Sequence, residues 1–157
     1  MEIENQRFMA LEGMRTWATG AVHFAAECDQ FLVDLSVSPK DFRALRRAFE
    51  VNRHCFLIAA FKLLEHTEWA VEVDAFDAAL TMELNAHAKD IKRLRDLNEH
   101  KLEYFMGGGR RRPLWNHEEN GGTADASSTV DTRIGNLLDW REVARIAAKL
   151  NEAIPTN

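Results

Sequence analysis

From Ile3 to Leu35 the apolar residues fall at Leu11, Met14, Ala18, Ala21, Ala25, Cys28, Phe31, Leu32 and Leu35, the three-and-four spacing of one long amphipathic helix. Gly13 and Gly20 weaken that helix without ending it. Ser36-Val37-Ser38-Pro39 then breaks the pattern, with Ser38 placed as N-cap, Pro39 at the first helical position and Asp41 in the first turn. A second helix runs from there to about Trp69, its core face marked by Phe42, Leu45, Phe49, Phe56, Ala60, Leu63 and Leu64. Two such antiparallel helices form a hairpin whose apolar stripes need further partners.

The following segments supply them. Val73-Asp74 reads as a third helix start, with Asp77 in its first turn and Phe76, Leu80 and Leu84 continuing the apolar stripe. A break is expected near Asn85, then a helix from about Ala86 to Met106. Gly107-Gly108-Gly109 ends it, because glycine supplies the positive φ of a helix C-terminus. Residues Arg110 to Gly135 change character, being rich in Gly, Asn, Thr, Ser and Asp. A β-prone run, Ser128 to Ile134, is expected either to pair with Pro113-Leu114-Trp115-Asn116 in a small hairpin or to remain a loop. A final helix from about Leu138 to Ala153 returns Trp140, Val143, Ile146, Ala147 and Leu150 to the core. The pattern predicts an all-α fold, a bundle of four to five helices with a small β-hairpin or loop insertion at 107–135 before the C-terminal helix. No internal repeat is visible.

Composition narrows the functional classes. A chain of 157 residues, 46% hydrophobic, matches one ordinary domain with a core of its own. With 20 basic against 25 acidic residues the net charge is −5, so any contact with nucleic acid has to be local. The N-terminus lacks the basic start and continuous apolar run of a secretion signal. The longest nearly apolar stretch, Cys55 to Leu64, carries Lys62 and falls well short of the roughly twenty residues that span a bilayer. Cys28 and Cys55 sit in apolar helical patterns without C-x-x-C spacing, as buried free thiols of a cytoplasmic protein do.

One short segment carries chemistry. Lys92 to Phe105 reads KRLRDLNEHKLEYF, in which Arg95, Asp96 and His100 form R-D-x-x-x-H. This resembles the signature of the HEPN superfamily: an arginine, often followed at once by a polar residue, then four to six residues to a histidine, on a helix of a small bundle. Arg47 to His54, Arg93 to His100 and Arg112 to His117 share the spacing, and the Arg95 match is distinguished by its place in a late helix and by the polar Asp96. The resemblance implies a metal-independent endoribonuclease that lets the 2′-hydroxyl attack the neighbouring phosphate, in a defence, toxin–antitoxin or stress setting, with an antitoxin or regulatory partner. His100 would move protons, Arg95 would hold the phosphate with its forked donors, and Asp96, one helical turn before His100, would orient the imidazole. Arg93, Glu99 and Tyr104 would complete the polar cluster. Where the toxin branch of the family carries a modified tyrosine two residues after the histidine, this chain has Leu102.

On an unbroken helix Arg95 and His100 stand about 140° apart and do not converge on one phosphate. Family members commonly dimerise so that two motifs share a cleft, and a homodimer is therefore expected. Alternatively Arg93, about 20° from His100, is the functional arginine. The same residues also fit a solvated face with Arg95–Glu99 and Lys92–Asp96 pairs.

Arg110-Arg111-Arg112 beside Trp115 is the one dense basic run, suited to a single-stranded RNA backbone with a base stacked on the indole, and equally to a helix C-terminal dipole. His23, His54, His66, His87 and His100 lie on predicted helices near acids, yet the Glu-x-x-His repeat of ferritin-type metal bundles is absent, so no metal or other cofactor is assigned. No phosphate loop and no G-x-S-x-G elbow supports a kinase or hydrolase. The leading expectation is RNA binding or cleavage. The runner-up is a non-catalytic dimerisation or interaction module on the same fold.

Overall fold

A computed structural model describes residues 2–37, 42–106, 108, 116–119 and 122–156. Two long helices, α1 (Ile3–Val37) and α2 (Phe42–Glu72), form the expected hairpin. Their contact is lined by small side chains: Ala10, Ala18, Ala21 and Ala25 of α1 and Ala59 and Ala60 of α2 are all buried. At Gly13 the His66 side chain takes the space of a methyl, so that an added Cβ would lie 2.1 Å from His66 Nδ1. The expected start of α2 at Ser38, Pro39 and Asp41 falls outside the described residues.

The third helix begins later than its sequence pattern suggests. Asp74 sits in a turn with φ 54°, and the N-cap is Asp77, whose Oδ1 accepts from Ala79 N–H at 2.8 Å. A 3₁₀ turn (Ala78–Thr81) leads into the short α3 (Met82–Ala86), which buries Leu84 and leaves Leu80 exposed. The expected break follows at His87, and α4 (Ala88–Glu99) buries Ile91, Leu94 and Leu97. The helix expected to continue to Met106 is interrupted at His100 and resumes as α5 (Lys101–Phe105). Gly108 N–H donates to Glu103 O at 2.9 Å, a six-to-one bond just past the end of α5, while Gly107 and Gly109 lie outside the described residues.

The insertion holds two small antiparallel sheets. In the first, β1 (Asn116–Glu119) pairs with β2 (Gly122–Asp125), with Asn116 opposite Asp125. In the second, β3 (Thr129–Val130), β4 (Arg133–Ile134) and β5 (Leu138–Asp139) form a meander. The 128–134 run thus folds back on itself instead of meeting Asn116, and residues 113–115 lie outside the described ones. Local turn chemistry favours this register, since Asp131, Gly135 and Asn136, with φ of 53°, 60° and 53°, are residue types that tolerate left-handed backbone.

Asp139 caps α6 (Trp140–Ala153) by accepting from Arg141 N–H at 2.9 Å. This helix packs on α1, where Trp140 Nε1 donates to Asp29 Oδ1 at 2.9 Å while its ring meets Phe49 edge-on. Among the described residues no helix is long and apolar enough to cross a membrane.

Two stability predictions follow from the α1–α2 contact. In an open helix Gly→Ala stabilises by about 1 kcal/mol, but Gly13→Ala should cost about 1–3 kcal/mol because the methyl overpacks the seam against His66. The sign should reverse in a His66→Ala background, and a urea-denaturation cycle reads both; stabilisation in the wild-type background refutes the constraint. Burial, the largest cause, holds His66 below the ordinary histidine value of 6.5. The unfolded chain therefore takes up that proton first, so stability is complete above about pH 6.5 and falls as pH drops below it. His66→Phe should flatten that part of the urea-midpoint profile.

Candidate functional site

The segment singled out by sequence lies at the corner between α4 and α5. His100 is the C-cap of α4, with φ −96° and ψ 17°, and its backbone N–H closes the helix on Asp96 O at 3.2 Å. The corner divides the candidate residues into two groups.

The first group is built around Arg95. Its guanidinium lies over the Phe61 ring of α2, 3.8 Å from guanidinium carbon to ring centroid, and Nη1 reaches Asp96 at 3.1 Å and Glu99 at 2.7 Å. Stacking on an aromatic face and pairing with two carboxylates is an anchoring arrangement, and the Arg95 side chain is only 23% exposed. A guanidinium so neutralised presents little charge to a phosphate.

His100 belongs to the second group. Its side chain is 55% exposed and Nδ1 lies 3.1 Å from Glu103 Oε1, one turn onward. Glu103 thus takes the orienting position expected of Asp96, whose carboxylate faces Arg95. With Nδ1 facing a carboxylate, Nε2 is the imidazole nitrogen left to exchange a proton. Glu99 serves the Arg95 clamp, Arg93 is half-buried on α4 and engaged in contacts of its own, and Tyr104 lies in α5 with a side chain outside the described set. Arg110, Arg111, Arg112 and Trp115 lie outside the described residues.

Between α2 and the corner the fold opens a groove of about 430 Å³. Arg47, Arg53 and His54 line it from α2, and Asn98 and Lys101, which flank the Glu99–His100 pair, line it from the other side. Glu50 is the single carboxylate in the lining and meets Arg46 at 3.2 Å. A chain with net charge −5 therefore carries a locally cationic groove, with two histidines at or next to it.

Arg53 was not among the sequence candidates. It is 5% exposed, and its Nη1 donates to Ser127 O and, at 3.3 Å, to Thr129 Oγ1. The available signal was an arginine on an apolar stripe, four residues after Phe49 and three before Phe56. Asn98 acts in parallel, donating to Leu94 O and Ala126 O, each at 2.9 Å. Together they dock the insertion onto the bundle.

The two cysteines show no disulfide, and burial, the largest cause, pushes the Cys28 thiol up to about 12, so it is inert at neutral pH. Cys55 is half-buried. Among the described residues no three His, Cys, Asp or Glu side chains converge as a metal site would require. Comparison with protein-family models, with curated proteins and with solved structures found no match to this chain.

Because Arg95 anchors while His100 does not, the two substitutions should separate by stability. Arg95→Ala is expected to cost about 1–3 kcal/mol, losing the Phe61 stack and the ion pairs to Asp96 and Glu99. His100→Ala should stay within about 0.5 kcal/mol. Urea denaturation of both variants checks this, and equal effects contradict the division.

Proposed function

We propose that this protein is a HEPN-like, cytoplasmic, homodimeric RNA-binding bundle that cleaves single-stranded RNA without a metal. The observation that carries the reading is the cationic groove of Arg47, Arg53, His54 and Lys101, whose lining includes the residue that follows the exposed His100, on an otherwise acidic chain. Sequence-independent RNA affinity comes from phosphate neutralisation, and Arg47 and Lys101 are placed to provide it. His100, with Glu103 at Nδ1, would exchange a proton through Nε2. The 2′-hydroxyl loses its proton and attacks the adjacent phosphate, the 5′ oxygen leaves with a proton, and a 2′,3′-cyclic phosphate remains. The second acid–base group comes from His100 of the other copy. Arg95, anchored on Phe61, acts as a positioning residue, and the phosphate contact assigned to it by the resemblance passes to Arg47 and Lys101. A defence, toxin–antitoxin or stress role with a regulatory protein partner belongs to the same proposal.

The neutralised state of Arg95 favours a second reading, a non-catalytic interaction module. The exposed Leu102 and Met106 of the corner, at 75% and 87%, and Val51 in the groove, at 61%, would then be partner contacts.

The test uses purified protein and a mixed single-stranded RNA pool in EDTA, with oligomeric state recorded. Wild type should cut, and His100→Ala should lose at least about a hundredfold in rate while remaining folded and binding RNA. The double variant Arg47→Glu, Lys101→Glu should bind RNA at least tenfold more weakly and with a shallower salt dependence. RNA binding without cleavage limits the function to binding. If RNA is neither bound nor cut, the interaction-module reading stands instead.

A further inference from the structure

The groove between α2 and the corner offers more than charge. Arg47, Val51 and His54 fall at i, i+4 and i+7 on α2, so they form one stripe of that helix and line the groove together. Arg47 is an exposed cation at the start of the stripe. Val51, 61% exposed, and the half-buried His54 continue it as an apolar and aromatic surface, with Asn98 and Lys101 lining the opposite side.

The His54 ring is not spent on the fold. Among the described residues it makes no hydrogen bond, ion pair or ring contact, whereas the His66 ring fills the space at Gly13, His23 lies edge-on to Phe24 and His100 meets Glu103. An aromatic side chain that lines a groove and holds no partner there is open to a ligand.

The other polar groups of the lining are committed elsewhere. Asn98 has two amide hydrogens and gives them to Leu94 O and Ala126 O. Arg53 is buried and donates to Ser127 O and Thr129 Oγ1, and Glu50 meets Arg46 at 3.2 Å. The groove therefore presents charge at Arg47 and Lys101 and a surface at Val51 and His54, with little left to read the edge of a base. A single strand exposes both phosphates and flat base faces, while a duplex hides those faces in its own stack. The volume of about 430 Å³ lies in the roughly 300–1,000 Å³ range of small-molecule sites, which suits one nucleotide at a time.

On the RNA reading above, we propose that the groove holds single-stranded RNA by one nucleobase, stacked on the His54 imidazole beside Val51, with the flanking phosphates on Arg47 and Lys101. His54 is a positioning residue, and the stack accepts any base because every base has a π-face.

The test is fluorescence anisotropy of the full chain at pH 8 with two probes of equal charge. One is an octamer of 2′-O-methyluridine, which has no 2′-hydroxyl to attack, and the other is its fully abasic counterpart. Wild type should bind the uridine strand at least about tenfold more tightly than the abasic one. His54→Ala should bring the two within about twofold, with the salt dependence and the melting temperature of the free protein unchanged. His54→Phe keeps a flat ring and should retain the discrimination, and Arg47→Glu should weaken both strands alike. Equal binding of the two strands by wild type, discrimination that survives His54→Ala, or its loss in folded His54→Phe would each overturn the stack and leave the RNA reading standing. A shallower salt dependence in His54→Ala makes the imidazole a phosphate contact and overturns the stack as well. Binding of neither strand overturns both.

Discussion

The close approach of α1 to α2 sets the geometry of the molecule. Gly13 leaves room for the His66 imidazole, and at Gly20 an added Cβ would make ordinary contact with the Ala59 methyl at 3.5 Å. With alanines filling the rest of the seam, the two longest helices lie close together along it. Small residues contribute little apolar area each, so the larger burial has to come from elsewhere. Trp140, Phe56, Met14 and the leucines of α2 and α4 provide it, which is why the hairpin cannot stand without α4 and α6.

The remaining faces of α2 are then committed in order. One receives α4 through Leu94 and Leu97, and the neighbouring stripe receives the insertion. Docking a short β segment on a helix leaves carbonyls without partners, and each buried carbonyl requires a donor. Arg53 meets Ser127 and Asn98 meets Ala126, so two polar side chains on two helices satisfy consecutive carbonyls of one turn. The arrangement explains how so small a sheet is held.

The corner at His100 follows from the same economy. The Phe61 ring on α2 holds the Arg95 guanidinium, which draws in Asp96 and Glu99 as counter-charges and leaves His100 to close the helix and face solvent with Glu103. An arginine and a histidine five positions apart are thereby given different tasks. Any chemistry at this corner draws its positive charge from α2 and Lys101 rather than from Arg95.

Much of the fold was legible in the sequence, because helical periodicity, caps and glycine stops are local. The long hairpin, the break near Asn85, the end of α5 at the glycine run and the apolar face of α6 depend on residues three or four positions apart, and that spacing is written in the chain. The late start at Asp77, the interruption at His100 and the pairing of 128–134 with itself were decided by the backbone conformations of Asp74, His100 and the Asp131 and Gly135-Asn136 turns. For the candidate site the sequence determined which charged residues share the segment from Arg93 to Tyr104, and nothing about what they face. Only the tertiary structure decided that Arg95 lies on Phe61, that Glu103 rather than Asp96 meets His100, and that Arg53 is buried and donates to Ser127 O. A side chain's partner across two helices depends on their relative placement and on rotamer, and neither is encoded in the spacing along one helix.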